Sequence, residues 1–308
     1  MNAWDPIAAP PDTPLGDASL AAPSDTCEAF TIERPAPGAA ATPLILASPH
    51  SGRVYPEEMM AATKLSRDQI RRSEDAFVDG LIEAAPAHGA TTIAARMARV
   101  WFDVNREPWE LDPAMFEGEL PAYARGRSAR VAAGLGAIAR IVAEGEEIYH
   151  RKLRFSEAQT RVEGVHRPYH DALSSLIGEA KAAHGVALLV DCHSMPAAAA
   201  SQAGLGAGCD IVLGDRFGAS CSLGVSRLVE RELQAMGYAV ARNAPYAGGY
   251  TTEHYGRPGR GVHALQIEVS RAIYMDERTL ELTDGFPRLK ADFERLIGVL
   301  AGVDWAKL

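Results

Sequence analysis

The clearest indication of the fold comes from the run Gly185-Val-Ala-Leu-Leu-Val-Asp-Cys-His-Ser-Met195. An uninterrupted apolar run rich in Val and Leu is typical of a strand buried on both faces, as in the middle of a parallel sheet. The run ends at Asp191 and His193, so polar side chains capable of chemistry stand directly at its end. We therefore predict a central strand that leads into a functional site.

Further apolar runs alternate with segments of helical spacing along the chain. The runs predicted as strands are 44–47, 91–95, 99–103, 210–214, 238–242 and 262–269. The segments predicted as helices are one that begins at Ser66, has the last residue of its apolar pattern at Ile82 and ends around Pro86–Gly89, and those at 128–155, 167–184, 219–236 and 276–300. This alternation favours an α/β fold, with helices covering both faces of a mostly parallel or mixed sheet.

The two ends of the chain differ in character. Residues 1–40 are predicted to form an N-terminal extension, poorly structured or strap-like, because 1–26 are rich in Pro, Ala, Asp and Ser and lack apolar periodicity. No composition shift follows this extension, so residues 41–308 are expected to form a single domain. Within it, the proline-containing stretch 107–127 and the glycine-rich stretch 245–261 are predicted to be long loops.

Bulk composition excludes several classes of function. The chain has 308 residues, a formal net charge of -9 and no long Lys/Arg block, which argues against nucleic acid as a partner. No apolar window is long enough to span a membrane, and the N-terminus lacks the pattern of a secretory signal. The four cysteines are scattered, as expected for reduced thiols in a cytoplasmic protein. The oligomeric state cannot be predicted.

Polar side chains follow the predicted strands at their carboxyl ends, where sites form in open α/β sheets. His50 follows the run 44–47, and Asn105 with Arg106 follows the run 99–103. His193 and Glu268 stand at the ends of two further runs, and Arg271 comes shortly after Glu268. We expect these side chains to converge on one site.

Each of these residues has both a chemical and an ordinary interpretation. Imidazoles such as those of His50 and His193 are common zinc ligands, but either ring taken alone is as readily a core or loop histidine. Glu268 in an apolar strand is a candidate general base with a pKa raised by burial, or it pairs with Arg271. Asn105, Arg106 and Arg271 can bind a carboxylate, or the arginines form surface salt bridges.

The loop around Gly249 and Tyr250 is glycine-rich and aromatic. Such a loop can close on a substrate, and we list both residues as candidate substrate contacts, although a long turn is the alternative.

Five motifs in this order resemble the N-formylglutamate amidohydrolase family over roughly residues 43–300. They are Ser48-Pro-His-Ser-Gly-Arg53, Phe102-Asp-Val-Asn-Arg106, Arg167-Pro-Tyr-His170, Val190-Asp-Cys-His-Ser-Met195 and Leu265-Gln-Ile-Glu-Val-Ser-Arg271. The Asp-x-His-Ser turn and the late Ile-Glu strand are also similar to zinc carboxypeptidases and aspartoacylases. The resemblance implies a phosphorylase/hydrolase-like three-layer α/β/α sandwich with a mixed sheet, in which His193 binds metal and Glu268 is the catalytic carboxylate.

The third metal ligand is the point at which the pattern departs from those peptidases. They place a glutamate three residues after the first histidine, whereas this chain has Arg53, which cannot bind a metal. Asp75 is the leading candidate, because the acidic segment that carries it also recurs in the resemblance, although on residue pattern alone it belongs to a solvated helix face. Glu57 and Glu58 are the alternatives.

The resemblance implies a cytoplasmic enzyme of histidine catabolism that uses a divalent metal, with zinc as first choice. Its substrate would be a small anionic N-acyl amino acid, and the reaction would release formate and glutamate from N-formyl-L-glutamate. Two alternatives stay open: a related hydrolase of another N-acyl amino acid or peptide, and a non-catalytic binding protein on the same fold. A serine hydrolase is disfavoured because the chain has no Gly-x-Ser-x-Gly motif.

Overall fold

The computed structural model describes residues 28–305 except 125, 127, 143–144 and 204–207. Its strands are β1 (Phe30–Glu33), β2 (Leu44–Ser48), β3 (Thr91–Ala95), β4 (Ala187–Met195), β5 (Ile211–Gly214), β6 (Val240–Arg242), β7 (Val262–Ser270), β8 (Met275–Asp276) and β9 (Glu281–Leu282). Its α-helices are α1 (Glu57–Ala61), α2 (Arg67–Arg71), α3 (Val78–Leu81), α4 (Ala129–Ala132), α5 (Phe155–Arg161), α6 (Arg167–His184), α7 (Ala197–Gln202), α8 (Leu223–Ala235), α9 (Tyr250–Tyr255) and α10 (Gly285–Ala301).

Seven strands form one mixed sheet in the order β1-β3-β2-β4-β7-β5-β6. The centre of the sheet is parallel, since β2, β4 and β7 run side by side in the same direction. Strands β1 and β5 run antiparallel to their neighbours β3 and β7. As the apolar run predicted, β4 is buried along its whole length between two parallel neighbours.

Side chains that alternate along the central strands supply two separate cores. Leu188 and Val190 of β4 point into a core shared with α3, α8 and α10, whereas Ala187 and Leu189 point into a core shared with α6. Helices therefore cover both faces of the sheet, and the fold is the three-layer α/β/α sandwich with a mixed sheet that the motifs implied.

The register of β4 and β7 sets up the polar end of the sheet. His193 of β4 lies opposite Glu268 of β7, and Asp191 lies opposite Gln266. Because side chains alternate in a strand, these four side chains share one face, above the carboxyl ends of the parallel strands. This is the edge at which α/β proteins bind ligands.

Several predicted elements are wrong, and the loop predicted at 245–261 contains the helix α9. Residues 99–103 form a tight buried turn rather than a strand, and the guanidinium of Arg161 stacks 3.5 Å from the Trp101 ring centroid there. Apolar side chains alone therefore do not distinguish a packed turn from a strand. Among the described residues of the predicted helix 128–155, α4 is the only α-helix before Phe155, since Gly134 and Gly145 adopt positive φ angles that end helices.

Other boundaries differ in smaller ways. The predicted N-terminal extension contributes β1 to the edge of the sheet, whereas residues 1–27 lie outside the described part of the chain. The last helix begins at Gly285, after the short β8–β9 hairpin. Among the described residues, Cys192, Cys209 and Cys221 are free thiols, and no helix combines the length and apolar character that crossing a membrane requires.

Candidate active site

Three side chains meet at the polar end of the sheet with their ligand atoms in a small triangle. Nδ1 of His193 lies 3.0 Å from Oδ2 of Asp75, and Nδ1 of His50 lies 3.2 Å from the same oxygen. The two Nδ1 atoms are 3.1 Å apart. All three residues are buried.

This triangle fits a divalent metal. Ligand atoms about 2.05 Å from a tetrahedral zinc lie about 3.3 Å from one another, close to the distances found here. Two imidazole nitrogens and a carboxylate oxygen that face one another at hydrogen-bond distance also need a proton or a cation between them, because their lone pairs repel. Two histidines and one carboxylate are a known donor set for catalytic zinc.

A carboxylate behind each imidazole fixes the orientation of the ring. Nε2 of His50 lies 2.7 Å from Oδ1 of Asp103, and Nε2 of His193 lies 3.0 Å from Oδ2 of Asp191. A proton on each Nε2 leaves both Nδ1 atoms unprotonated toward the triangle, which is the arrangement that metal-binding histidines use. Asp191 holds the ring of His193 in this way, and Asp103 is its counterpart on the ring of His50.

The carboxylate of Asp75 is held on its other side by two arginines. Its Oδ1 accepts a hydrogen bond from Arg271 at 3.1 Å and lies 3.5 Å from a guanidinium nitrogen of Arg99. Burial by itself raises the pKa of this carboxyl, but the hydrogen bonds with His193 and His50, together with the charges of His50 and Arg99, hold the pKa well below its usual value. Asp75 is therefore a carboxylate at neutral pH, as a metal ligand must be.

Asp75 reaches the site because the predicted helix that begins at Ser66 is interrupted. It ends as α2 at Arg71 and resumes as α3 at Val78, after Phe77 with a left-handed φ of 66°. In the gap, the backbone N–H of Asp75 donates to the carbonyl of His50 at 3.1 Å, which turns the side chain inward. Glu57 and Glu58, the alternative ligands, lie exposed on α1.

Glu268 stands beside the triangle, paired in register with His193. Its carboxyl is buried and accepts a hydrogen bond from Gln266 Nε2 at 2.8 Å. Burial raises the pKa of Glu268 to about 7, and the nearby carboxylate of Asp75 adds to this, while His193 and Arg99 oppose it. A carboxyl with this pKa can both take up and release a proton near neutral pH.

These groups line one cavity of about 680 Å³ with a mixed lining. Six arginines line it, although the chain as a whole is acidic: Arg72, Arg99, Arg106, Arg130, Arg216 and Arg271. Such a concentration of guanidinium groups suits an anionic ligand, which they can bind through paired N–H donors.

Comparison with known proteins identifies the family of this chain. The family model described as N-formylglutamate amidohydrolase matches residues 42–275, well over half of the sequence. The chain belongs to the N-formylglutamate amidohydrolase family.

Individual relatives agree with this assignment. The chain is 29% identical over 240 residues to a Pseudomonas aeruginosa protein named N-formylglutamate deformylase, covering 77% of this chain and 83% of that one. A Pseudomonas putida protein of the same name is 27% identical over 248 residues, which cover 76% and 82% of the two chains. The crystal structure of N-formylglutamate amidohydrolase from Ralstonia eutropha JMP134 matches with a TM-score of 0.83 and 38% identity, over 89% of this chain and 98% of that chain.

In this member of the family, two of the predicted carboxylate-binding residues are engaged by the protein itself. Arg271 donates to Ser194 Oγ and to the carbonyl of Arg72 as well as to Asp75. The amide of Asn105 lies between Asp191, 3.0 Å from its Nδ2, and the backbone N–H of Thr251, which donates to its Oδ1 at 2.8 Å. Both residues line the cavity, but these contacts favour a supporting role for their polar groups.

The remaining candidates divide between the cavity and its surroundings. Arg106 lines the cavity, and its side chain donates to the backbone carbonyls of Leu135 and Asn105. Gly249 also lines it, and a Cβ on this glycine would lie 2.7 Å from the Asn105 amide, so a close backbone approach requires glycine here. Tyr250 is not among the lining residues of this cavity; its ring packs against His170 and His254.

Sequence reasoning missed several residues of the family site. Arg99 and Asp103 were assigned to a strand, although Asp103 lies within the quoted motif Phe102–Arg106 and could have been weighed as a partner for a histidine. Gln266 precedes Glu268 by two residues, and strand alternation alone places both on one face. Tyr246 and Arg216 also line the cavity, but both stand in turns whose direction no periodic pattern predicts.

Proposed function

We propose that this protein is a metal-dependent amidohydrolase that cleaves the amide bond of N-formyl-L-glutamate to give formate and L-glutamate. The names of the two Pseudomonas relatives support the substrate. The observation that carries the proposal is the triangle of His50, Asp75 and His193 ligand atoms, 3.0–3.2 Å apart, beside the buried carboxyl of Glu268.

His50, Asp75 and His193 would hold the metal, for which zinc is our first expectation. When bound, a divalent cation supplies Lewis-acid polarisation of a carbonyl oxygen and makes a nearby water more acidic. Asp103 and Asp191 keep the Nδ1 atoms of the two imidazoles free for it, through the hydrogen bonds to their Nε2 atoms.

Glu268 is the proposed base. Its carboxylate takes a proton from the attacking water as the oxygen–carbon bond to the formyl carbon forms. It then delivers that proton to the amide nitrogen as the carbon–nitrogen bond breaks, so that the amino group leaves as a neutral amine. A pKa near 7 favours both halves of this transfer.

Arg99 is positioned to stabilise the negative charge that develops on the carbonyl oxygen. Its guanidinium lines the cavity while Asp103, at 2.8 Å, fixes its orientation. A cation preset in this way costs no rearrangement during the reaction. Arg106 would bind the carboxylate next to the scissile amide, since its side-chain hydrogen bonds go to neutral backbone carbonyls and its ion pair with Asp103 is long, at 3.9 Å.

Formate release from N-formyl-L-glutamate tests the proposal directly. Purified protein is assayed before chelation, after chelation and after addition of zinc, manganese or cobalt, and its metal content is measured at each stage. We expect chelation to remove activity and one of the metals to restore it. Undiminished turnover by protein shown to be metal-free would contradict the metal, and absence of formate release by metal-loaded protein would contradict the activity.

A larger N-acyl amino acid is a second candidate substrate, favoured by the size of the cavity. About 680 Å³ is ample for a drug-sized ligand, and part of the lining is apolar, including Leu135, Ala139, Ile141 and Val142. A panel of N-formyl, N-acetyl and N-butyryl glutamates separates the two candidates. Higher kcat/KM for the longer acyl groups would favour the second.

A further inference from the structure

The six cavity arginines differ in what they already bind, and this difference bears on a substrate with two carboxylates. Arg99 and Arg271 are bound to the buried acids Asp75 and Asp103, so neither guanidinium can exchange its partner without leaving a buried carboxylate unpaired. Arg106 donates to backbone carbonyls. Arg216 instead forms an ion pair at 3.0 Å with Glu253, whose side chain is 60% exposed.

The pairing of Arg216 with Glu253 is readily exchanged. An exposed carboxylate loses little by moving into water, because exposed ion pairs are weak. A substrate carboxylate that enters the cavity can therefore replace that of Glu253 on the same guanidinium.

The backbone at Arg216 is held in a conformation that most side chains avoid. Its φ is 50° and that of Phe217 is 58°; of the six cavity arginines, all of which the structure describes, only Arg216 has a positive φ. The Asn243 side chain accepts hydrogen bonds from the backbone N–H groups of Asp215 and Phe217 and donates to the buried Asp215 carboxylate. Backbone strain of this kind, held in place by surrounding hydrogen bonds, is found especially at functional positions.

The enforced turn aims Arg216 at the cavity. Its backbone N–H donates to the carbonyl of Ala247, and a Cβ on Gly248 would lie 3.1 Å from its Cγ, so its aliphatic stem lies against the 247–248 backbone. In the sheet, Gly214 pairs with Gln266, and Val212 pairs with Glu268. Arg216 thus lies beyond Gly214, on the side away from Glu268, so it would face the far end of a substrate rather than the scissile amide.

We propose that Arg216 binds the side-chain carboxylate of the substrate and gives the enzyme its preference for dicarboxylic N-acyl amino acids. Arg106 then binds the carboxylate beside the amide, and Glu253 forms an ion pair with Arg216 when no substrate is present. The inference rests on the proposed function for the identity of the substrate, but the preference for a second carboxylate can be measured independently of turnover.

The test compares N-formyl-L-glutamate with N-formyl-L-glutamine, which differ only in the distal carboxylate. In Arg216→Leu, we expect kcat/KM for the glutamate substrate to fall about 10- to 100-fold, the value of a charge-assisted hydrogen-bonded pair. The value for the glutamine substrate should change less than threefold. Arg231→Leu is the matched control, since Arg231 forms an ion pair with Glu232 on the outer surface of α8 and lies outside the cavity lining.

Three further variants separate binding from shape. Arg216→Lys should recover part of the preference because it keeps the charge, and Glu253→Gln should lower KM for the glutamate substrate because it removes the competing carboxylate. Arg216→Gly should unfold at the wild-type temperature or above it, since glycine accepts the positive φ, yet it should lose the preference.

An equal loss of kcat/KM for both substrates in Arg216→Leu would overturn the inference and leave Arg216 with a purely structural role. If the wild-type protein releases formate from neither substrate, the proposed function fails. Calorimetric binding of the two compounds to wild type and Arg216→Leu then decides the inference: tighter binding of the glutamate compound that disappears in the variant supports it, and equal binding in the wild type contradicts it.

Discussion

The two halves of the candidate active site are built in different ways. The strand half, which consists of Asp191, His193, Gln266 and Glu268, lies on β4 and β7 and is fixed by their register. The turn half, which consists of Asp75, Arg99, Asp103 and Asn105, lies on irregular segments and is fixed by charge pairs and hydrogen bonds. Each half supplies one of the proposed metal ligands and one carboxylate that orients an imidazole.

This difference indicates how the two halves respond to change. A strand residue keeps its direction when a polar neighbour is altered, because backbone ladders hold it, on both sides for Asp191, Gln266 and Glu268 and on the β7 side for His193. A turn residue such as Asp103 depends on its polar partners, since its carboxylate binds His50, Arg99 and the backbone N–H of Asn105 together. Substitutions matched across the two halves can test this contrast.

The largest effect is expected from removal of either imidazole. His193→Ala in the strand half and His50→Ala, which faces the turn half, should both reduce bound metal to background and abolish formate release, because two remaining ligands do not retain a catalytic metal. Metal content and activity are measured on the same samples. His184→Ala, an exposed histidine at the end of α6, is the matched control; full metal occupancy in His193→Ala would refute the proposed metal site.

Glu268→Gln should have the next largest effect and should act on chemistry alone. The substitution keeps the shape of the side chain but removes the base, so kcat is expected to fall about 10²- to 10⁴-fold. Metal content and the melting temperature should stay close to those of the wild type. A variant that retains wild-type kcat would exclude Glu268 as the base, whereas loss of metal would make it a ligand instead.

A comparison of the variants Asp103→Asn and Asp191→Asn tests the two halves directly. Each variant removes the charge behind one imidazole, and metal affinity should fall about 10- to 100-fold. The fall should be greater for Asp103→Asn, because this change also releases Arg99 from its ion pair. Titration with a competing chelator measures both affinities, and equal values would mean that the turn half is as rigid as the strand half.

The pH dependence should show the smallest effect. Burial raises the pKa of Glu268 to about 7, and a base acts only when it is deprotonated, so kcat/KM should fall as pH drops through that value. The fall approaches tenfold per pH unit below the pKa. A bound cation lowers this pKa, so the metal-loaded enzyme should show this acidic fall in kcat/KM at or below pH 7. The fall in kcat/KM at acidic pH should be absent from the residual activity of Glu268→Gln. If the fall persists in this variant, another group is responsible for it.

The same contrast explains which parts of the site could be predicted. His193 and Glu268 followed from apolar runs that end at polar residues, because buried parallel strands have a distinctive composition and a common functional edge. Asp75 was named from a resemblance, and on residue pattern alone it belonged to a solvated helix. Only the interruption of that helix at Phe77, whose φ is 66°, turns its carboxylate toward the histidines.

The segment 99–103 shows a different limit. Its apolar residues predicted a strand, and they are buried as expected, but they form a turn that packs around Trp101 and Arg161. Burial was thus predictable, whereas the backbone path was not, since the same side chains satisfy either conformation. Arg99 and Asp103, which the turn places beside Asp75 and His50, were missed for this reason.

The α/β class, the central buried strands, and the two histidines and the glutamate at their ends could all be predicted from the sequence alone. Composition and period-two alternation are local properties, and they suffice to specify strands that are buried on both faces. The position of the third proposed ligand, the carboxylates behind the imidazoles and the direction of Arg216 became visible only in the tertiary structure. Those depend on turns whose backbone is held by partners distant in the chain, such as Asp75 on the carbonyl of His50 and Asp215 with Asn243, and no local pattern encodes such pairings.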